Sequence, residues 1–188
     1  SNFIEKNLNY QIKLNDLGIV FKAVEAEIAI KIKNNLPIRL NNQKYTNDEI
    51  LENIDYVVPA IEFAASRFTS DLKLPPAAIV ADFAFNGCVI LSDERLLQSQ
   101  LKENIQQLAE ITTQLDVNNK QVVSNTTANV LGNPINALTW LANELNSQGQ
   151  MLKSDQIIIT GAAFQYRDIK SNDKLTIHFN NYNSKNVQ

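Results

Sequence analysis

The segment Val20–Ile32 constrains the fold of this chain more than any other. It reads V-F-K-A-V-E-A-E-I-A-I-K-I, and apolar residues from Val24 to Ile30 alternate with Glu25 and Glu27. A period of two is typical of a β-strand, in which successive side chains point to opposite faces. We therefore predict a strand that projects both carboxylates from one face. Because E-x-E is a common pattern, a solvated strand face that carries two acids is the alternative interpretation.

Two scarce residue types limit the chemistry of the chain. Its 188 residues include one His and one Cys, which excludes a multi-histidine metal site, a thiolate zinc site and a disulfide framework. The formal net charge of −3 provides no basic surface for nucleic acid. No run of about 18 apolar residues is present, so we expect no membrane span and a cytoplasmic protein. Catalysis would have to use carboxylates, amides, hydroxyls or a bound metal.

The first half of the chain contains one helix signal and two long apolar segments. Thr46 and Glu49 form a capping box, which predicts a short helix that ends near Ile54. Residues 56–65 and 77–91 are almost entirely apolar. We interpret both segments as buried strands, or as strand and turn, within a core.

The second half contains the clearest turn and the clearest helix. Asn118 and Asn119 tolerate positive φ and predict a tight hairpin turn. Asn133 and Pro134 predict the start of a helix that Gly149 terminates. The segments interpreted as strands in this half are 111–117, 121–127, 156–160 and 174–179. The whole pattern indicates a strand-rich α+β fold.

Two further acids lie in apolar surroundings. Glu62 is the only charged residue between Asp55 and Arg67, and Asp82 lies within A-A-I-V-A-D-F-A-F-N-G. A buried carboxylate costs several kcal/mol unless a cation, a proton or a strong donor accompanies it. For Glu62, an ion pair with Arg67 or a lysine is the alternative. Together with the E-x-E pair, these acids point to a hard divalent cation, Mg²⁺ or Mn²⁺, with oxygen ligands.

Five motifs occur along the chain in an order that resembles a known family. They are V-E-A-E-I-A-I (24–30), V-V-P-A-I-E-F-A-A-S-R-F (57–68), A-D-F-A-F-N-G (81–87), L-G-N-P-I-N-A-L-T-W-L-A-N (131–143) and I-I-I-T-G-A (157–162). The chain resembles the branch of the fumarylacetoacetate hydrolase superfamily that contains the 2-keto-4-pentenoate hydratases and the 2-oxo-3-hexenedioate (4-oxalocrotonate) decarboxylases. The resemblance extends from about residue 17 to residue 179.

The resemblance implies a fold and a set of site residues. The implied fold is a mixed β-roll like the C-terminal part of fumarylacetoacetate hydrolase, with a few helices and one bound Mg²⁺ or Mn²⁺. Asp82 would position water or move a proton, with a pKa that its apolar setting raises. The other implied residues are the metal ligands Glu25, Glu27 and Glu62 and the substrate-facing Asn86, Thr160 and Gly161.

The resemblance also implies an activity, a hydratase of short unsaturated 2-oxo acids that acts in aromatic compound catabolism. A 2-oxo acid decarboxylase, an acylpyruvate hydrolase and a non-catalytic remnant of the fold are the alternatives. Family members also suggest a homo-oligomer. Two departures stand out: Ala162 replaces the family's Ser, and few residues precede Glu25. We therefore expect residues 1–188 to be a single catalytic-core domain that lacks the family's N-terminal portion.

Overall fold

Strands dominate the architecture of the chain. The structure, a computed structural model, describes residues 20–68, 73–170 and 172–182. The strands are β1 (Val20–Ile32), β2 (Ile54–Ser66), β3 (Asn86–Leu91), β4 (Leu96–Leu97), β5 (Thr112–Val117), β6 (Lys120–Thr126), β7 (Ile157–Ile159), β8 (Phe164–Tyr166) and β9 (Leu175–Asn180). The α-helices are α1 (Asn47–Leu51), α2 (Pro76–Ala81), α3 (Gln98–Leu101) and α4 (Pro134–Ser147). The expected strand-rich α+β class is confirmed.

A long antiparallel pair forms the centre of the larger sheet. Strand β1 has the predicted bounds and pairs with β2 along nearly its whole length, and the sheet continues in the order β3-β2-β1-β7. The short strand β4 pairs with β2, and β8 pairs with β1. In this register Glu25 lies directly opposite Glu62, and Glu27 lies opposite Ala60. The pairing therefore brings the two predicted acidic segments together.

The second sheet has the order β6-β5-β9. Its β5–β6 hairpin turns at Asn118 and Asn119, whose φ values are 51° and 65°, and the predicted hairpin is confirmed. Residues from both sheets meet in one apolar cluster, in which Val24 and Phe164 of the larger sheet pack with Leu115 of β5.

Helix α4 covers the core-facing side of the larger sheet. Asn133 caps it by accepting a hydrogen bond from the backbone N–H of Ile135 at 3.1 Å, and Pro134 occupies the first turn. Its buried residues Ile135 and Leu138 pack in the main core together with Ile28 and Ile30 of β1. Because these β1 residues face the core, Glu25 and Glu27 must occupy the opposite face of the sheet.

Two of the predicted elements differ from the structure. Residues 77–91 form most of α2, a turn over Phe83–Phe85 and β3. The interpretation as strand and turn holds for the turn and β3, but it does not include the helix, and β3 is only partly buried. Pro76 explains the helix, since proline favours the first helical turn, and α2 contains no buried residue. Helix α1 ends at Leu51, because the chain enters β2 at Ile54. No helix in the described part of the chain has the length and apolarity needed to cross a membrane.

Candidate metal centre

Three glutamates converge on one face of the β1–β2 pair. Each of Glu25, Glu27 and Glu62 offers a carboxylate oxygen, and these three oxygens lie within 4.8 Å of one another. Cross-strand pairing of Glu25 with Glu62 and the two-residue spacing of Glu27 from Glu25 produce this convergence. We call these three residues the acidic cluster. On the same face, the cluster borders a small apolar group that includes Ala29, Val58 and Ala60.

The acidic cluster concentrates negative charge away from water. Glu27 is 2% exposed and Glu62 is 8% exposed, while Glu25 is partly buried. Within the described residues, no Lys or Arg forms an ion pair with any of the three. Burial, opposed in part by a hydrogen bond from Gly161 and reinforced by the charges of Glu62 and Glu25, raises the pKa of Glu27 well above its usual range.

Burial is also the main reason why the pKa of Glu25 is raised. A hydrogen bond from Gln165 lowers this pKa, the charge of Glu62 raises it and the charge of Arg167 lowers it. Like charges directly across a strand pair destabilise a sheet. Several carboxylate oxygens that face one another without a basic partner form the ligand set that hard divalent cations prefer. The donor chemistry of the cluster therefore fits a divalent cation.

Each carboxylate of the acidic cluster receives a hydrogen bond. Asn86 donates from Nδ2 to Oε1 of Glu62 at 2.6 Å, and the backbone N–H of Gly161 donates to Oε2 of Glu27 at 2.8 Å. Gln165 donates from Nε2 to Oε1 of Glu25. Such donors fix the orientation of carboxylate ligands in metal sites.

The loop after β7 is held against β1. The backbone N–H and the hydroxyl of Thr160 both donate to the carbonyl of Ile28, at 3.1 and 3.0 Å. Gly161 has a φ of +112°, a conformation that glycine adopts without steric cost. Gly161 therefore contacts the acidic cluster through Glu27, and the donors of Thr160 are directed to β1. The contact of Thr160 and Gly161 with a substrate stays a prediction.

Asn86 reaches Glu62 because β3 approaches β2 closely at its first residues. A Cβ atom at Gly87 would lie 2.5 Å from the carbonyl oxygen of Phe63 and 2.8 Å from Cβ of Ala65. Only glycine fits this approach without a shift of the backbone. The structure thus gives Asn86 a contact with a carboxylate of the cluster, in addition to the substrate contact that the resemblance implies.

Asp82 lies outside the acidic cluster and has a basic partner. Its carboxylate is 2% exposed, and Nη1 of Arg67 lies 3.1 Å from Oδ1. Burial alone would raise the pKa of Asp82, but hydrogen bonds from Ser66 and Arg67 and the Arg67 charge hold it below the usual range. The expectation of a raised pKa is wrong. The alternative of an ion pair between Glu62 and Arg67 is also wrong, because Arg67 pairs with Asp82.

Sequence reasoning missed Gln165 and Arg167. Both follow the T-G-A motif, and Gln165 lies opposite Glu25 in the β8–β1 pairing. Arg167 donates from Nε to Oε1 of Gln165 at 2.8 Å. Strand β8 has only three residues, too few for a periodic pattern, so the sequence carried no signal that would place Gln165 against the cluster.

The chain is similar to curated enzymes and to solved structures, whereas no family model matches it. It is 30% identical over 161 residues to a 2-keto-4-pentenoate hydratase of Paraburkholderia xenovorans strain LB400, covering 86% of this chain and 56% of that enzyme. The chain thus spans just over half the length of the curated relatives that it matches.

Among solved structures, the chain superposes on a 4-oxalocrotonate decarboxylase of Pseudomonas putida G7 complexed with magnesium and adipate. The TM-score is 0.72 at 25% identity, over 86% of this chain and 57% of the decarboxylase. A structure of the same enzyme with calcium and acetate gives a TM-score of 0.70. A Yersinia pestis CO92 protein assigned to the fumarylacetoacetate hydrolase family shares the fold, with a TM-score of 0.59 at 16% identity over 92% of this chain and 72% of that protein.

Proposed function

Because the chain belongs to the branch of the fumarylacetoacetate hydrolase superfamily that contains 2-keto-4-pentenoate hydratases and 4-oxalocrotonate decarboxylases, we propose that it is a divalent-metal-dependent hydratase. Its substrate would be a short unsaturated 2-oxo acid, with 2-hydroxypenta-2,4-dienoate converted to 4-hydroxy-2-oxopentanoate. One observation carries this proposal: the convergence of Glu25, Glu27 and Glu62 without a basic partner in the described part of the chain.

Glu25, Glu27 and Glu62 would hold Mg²⁺ or Mn²⁺. A divalent cation supplies positive charge that stabilises the negative charge developing on the 2-oxo group of a chelating substrate. The chain's own contribution is to fix the three carboxylates through Gln165, the Gly161 N–H and Asn86. The apolar group that includes Ala29, Val58 and Ala60 lies beside the cluster on the same face.

Asp82 as the residue that positions water or moves a proton stays a prediction. Because its pKa is lowered by Ser66 and Arg67 despite its burial, Asp82 is ionised at neutral pH and would accept a proton before donating one. Its carboxylate is also committed to the Arg67 pair. The cytoplasmic location, the homo-oligomer and the role in aromatic compound catabolism likewise stay predictions.

A decarboxylase is the second candidate function. The similarity to an enzyme complexed with magnesium and adipate, a dicarboxylate, favours it. Both reactions develop charge on the same 2-oxo group, so the acidic cluster serves either one. An acylpyruvate hydrolase is less well supported, because the resemblance implies that hydrolases of this superfamily activate water with a Glu–His pair. The chain's one histidine, His178, lies in β9 and contacts Asp116 at 3.3 Å. It therefore belongs to the second sheet and is not part of the acidic cluster.

Parallel assays test the proposal. The protein is incubated with 2-hydroxypenta-2,4-dienoate, with 2-oxohex-3-enedioate or with acetylpyruvate, in EDTA, Mg²⁺ or Mn²⁺, and the products are identified. We expect metal-dependent formation of 4-hydroxy-2-oxopentanoate and its loss in Glu62→Gln. Release of CO₂ from the dicarboxylate would establish the second candidate instead. Binding of Mn²⁺ without turnover of any substrate would contradict both and favour the non-catalytic remnant.

A further inference from the structure

We propose that Arg67 is a positioning residue of the metal centre, which holds the turn Phe83–Phe85 in a strained conformation and thereby aims the Asn86 amide at Glu62. This inference rests on the proposed function, because it assigns Arg67 to a site that would hold Mg²⁺ or Mn²⁺. Neither the sequence motifs nor the similarity to known enzymes gives Arg67 this role.

The turn between α2 and β3 has an unusual backbone. Phe83, Ala84 and Phe85 have φ values of 54°, 53° and 68°, three consecutive residues in the left-handed region. Residues with a Cβ atom rarely adopt this conformation, and such strain persists only where surrounding contacts enforce it. Phe83 is 73% exposed, so packing of this residue in a core does not provide the enforcement.

Arg67 bonds to both ends of this turn. Its Nη1 donates to the carbonyl of Asp82 at 3.3 Å and to Oδ1 of Asp82 at 3.1 Å, and its Nη2 donates to the carbonyl of Asn86 at 2.9 Å. The backbone N–H of Arg67 also donates to Oδ2 of Asp82 at 3.1 Å. The guanidinium lies over the ring of Phe83, 5.6 Å from its centroid.

The geometry of these bonds requires a guanidinium. Two separate nitrogens in one rigid plane reach two backbone positions that are four residues apart, whereas a lysine ammonium is a single point charge on a flexible stem. Ser66, which precedes Arg67, is the last residue of β2. The hydrogen bonds of Arg67 therefore connect the turn directly to the strand that carries Glu62.

The conformation of the Phe83–Phe85 turn determines where the Asn86 amide points. Asn86 is the residue at which the left-handed run ends and β3 begins, and its Nδ2 lies 2.6 Å from Oε1 of Glu62. A carboxylate that holds a metal ion can only accept hydrogen bonds, so the amide must present its NH₂ group to Glu62 in a metal-bound centre. If the turn relaxes, Asn86 loses this position and Glu62 loses the donor that orients it.

Calorimetric titration of folded, EDTA-treated protein with Mn²⁺ tests whether Arg67 acts on Glu62 through the turn and Asn86. We expect Arg67→Lys and Asn86→Ala each to weaken Mn²⁺ binding by about 10- to 100-fold, the usual effect of losing a partner of a metal ligand. The double variant should bind as weakly as Asn86→Ala alone, because Arg67 acts through Asn86. The matched control is Arg39→Lys: Arg39 also pairs with a carboxylate, Glu49 at 2.8 Å, and also lies over a ring, that of Tyr45.

A second variant tests the strain itself. Glycine adopts positive φ without steric cost, so Ala84→Gly should return the Mn²⁺ affinity of Arg67→Lys toward that of the wild type. If Arg67→Lys alone does not fold, its effect is measured in the Ala84→Gly background, in which the turn is not strained.

The possible results separate the two proposals. Wild-type protein that binds no Mn²⁺ would contradict the metal centre, and with it this inference. Wild-type binding with unchanged affinity in Arg67→Lys, or losses that multiply in the double variant, would overturn the inference alone. Failure of Ala84→Gly to restore binding would overturn the role assigned to the strained turn.

Discussion

Glu62 lies in strand β2 and Arg67 follows the end of the same strand, and around these two residues the chain buries carboxylates in two different ways. Asp82 is 2% exposed and has Arg67 as its partner, and its pKa is lowered. Glu27 is equally buried at 2% but faces two other acids, and its pKa is raised. At equal solvent exposure the two pKa shifts are opposite. Burial dominates at Glu27 and the neighbouring acids add to it, whereas hydrogen bonds from Ser66 and Arg67 and the Arg67 charge outweigh burial at Asp82.

The difference separates a structural carboxylate from a site that favours a ligand. Arg67 supplies the counter-charge to Asp82 within the fold, so this pair needs nothing from solution. In the described part of the chain, no Lys or Arg forms an ion pair with the acidic cluster, and Arg167 acts on Glu25 only at longer range. The cluster therefore stores unfavourable energy that a bound divalent cation would relieve, which is the usual cost of a preformed binding site.

The largest effect is expected on metal binding. Glu62→Gln removes a charged ligand but keeps an oxygen that can accept from Asn86, and we expect Mn²⁺ affinity to fall at least about 100-fold, beyond the loss of an outer partner. Asp116→Asn is the control, because Asp116 belongs to the second sheet and contacts His178. Calorimetric titration measures both. Equal affinities of Glu62→Gln and wild type would remove Glu62 from the proposed ligands.

Stability in EDTA provides a sharper contrast between the two regions. At pH 9, above the pKa of about 8 that burial and two neighbouring acids give Glu27, Glu27→Gln removes an unfavourable charge. We therefore expect the Tm of the metal-free protein at this pH to rise by at least about 2 °C, the shift that corresponds to roughly 1 kcal/mol in a chain of this size. Asp82→Asn removes the partner of Arg67 and should lower the Tm. Thermal unfolding followed by circular dichroism measures both changes. Tm changes of the same sign in the two variants would contradict the distinction between the acidic cluster and the Asp82–Arg67 pair.

Sequence reasoning located the acids of the cluster but could not place their partners. The alternation of β1 and the apolar setting of Glu62 are local signals, and they suffice to nominate ligands. The pairing of Arg67 with Asp82, 15 residues apart, depends on how the chain returns from α2 to β3. This path could not be predicted from the apolar run 77–91, because apolar content alone does not distinguish a helix from a buried strand.

The smallest effect, and the most specific, is expected in acid. A carboxyl whose pKa is lower in the folded than in the unfolded chain stabilises the fold above its unfolded pKa, and this contribution disappears as pH falls through the folded pKa. The ordinary pKa of an aspartate is 3.8, and the pKa of Asp82 in the folded chain is lower. The loss of stability therefore begins near pH 4 and continues below it.

Urea denaturation of wild type and Asp82→Asn at pH 7, 5, 4 and 3 isolates this contribution. Other acids titrate in both proteins, so the difference between their free energies of unfolding reports the Asp82 pair. We expect that difference to be constant between pH 7 and 5 and to shrink below pH 4. Glu27 has the opposite shift, so a difference that grew in acid would mean that Asp82 behaves like the acidic cluster. The Arg67 pair would then not be what sets the two regions apart.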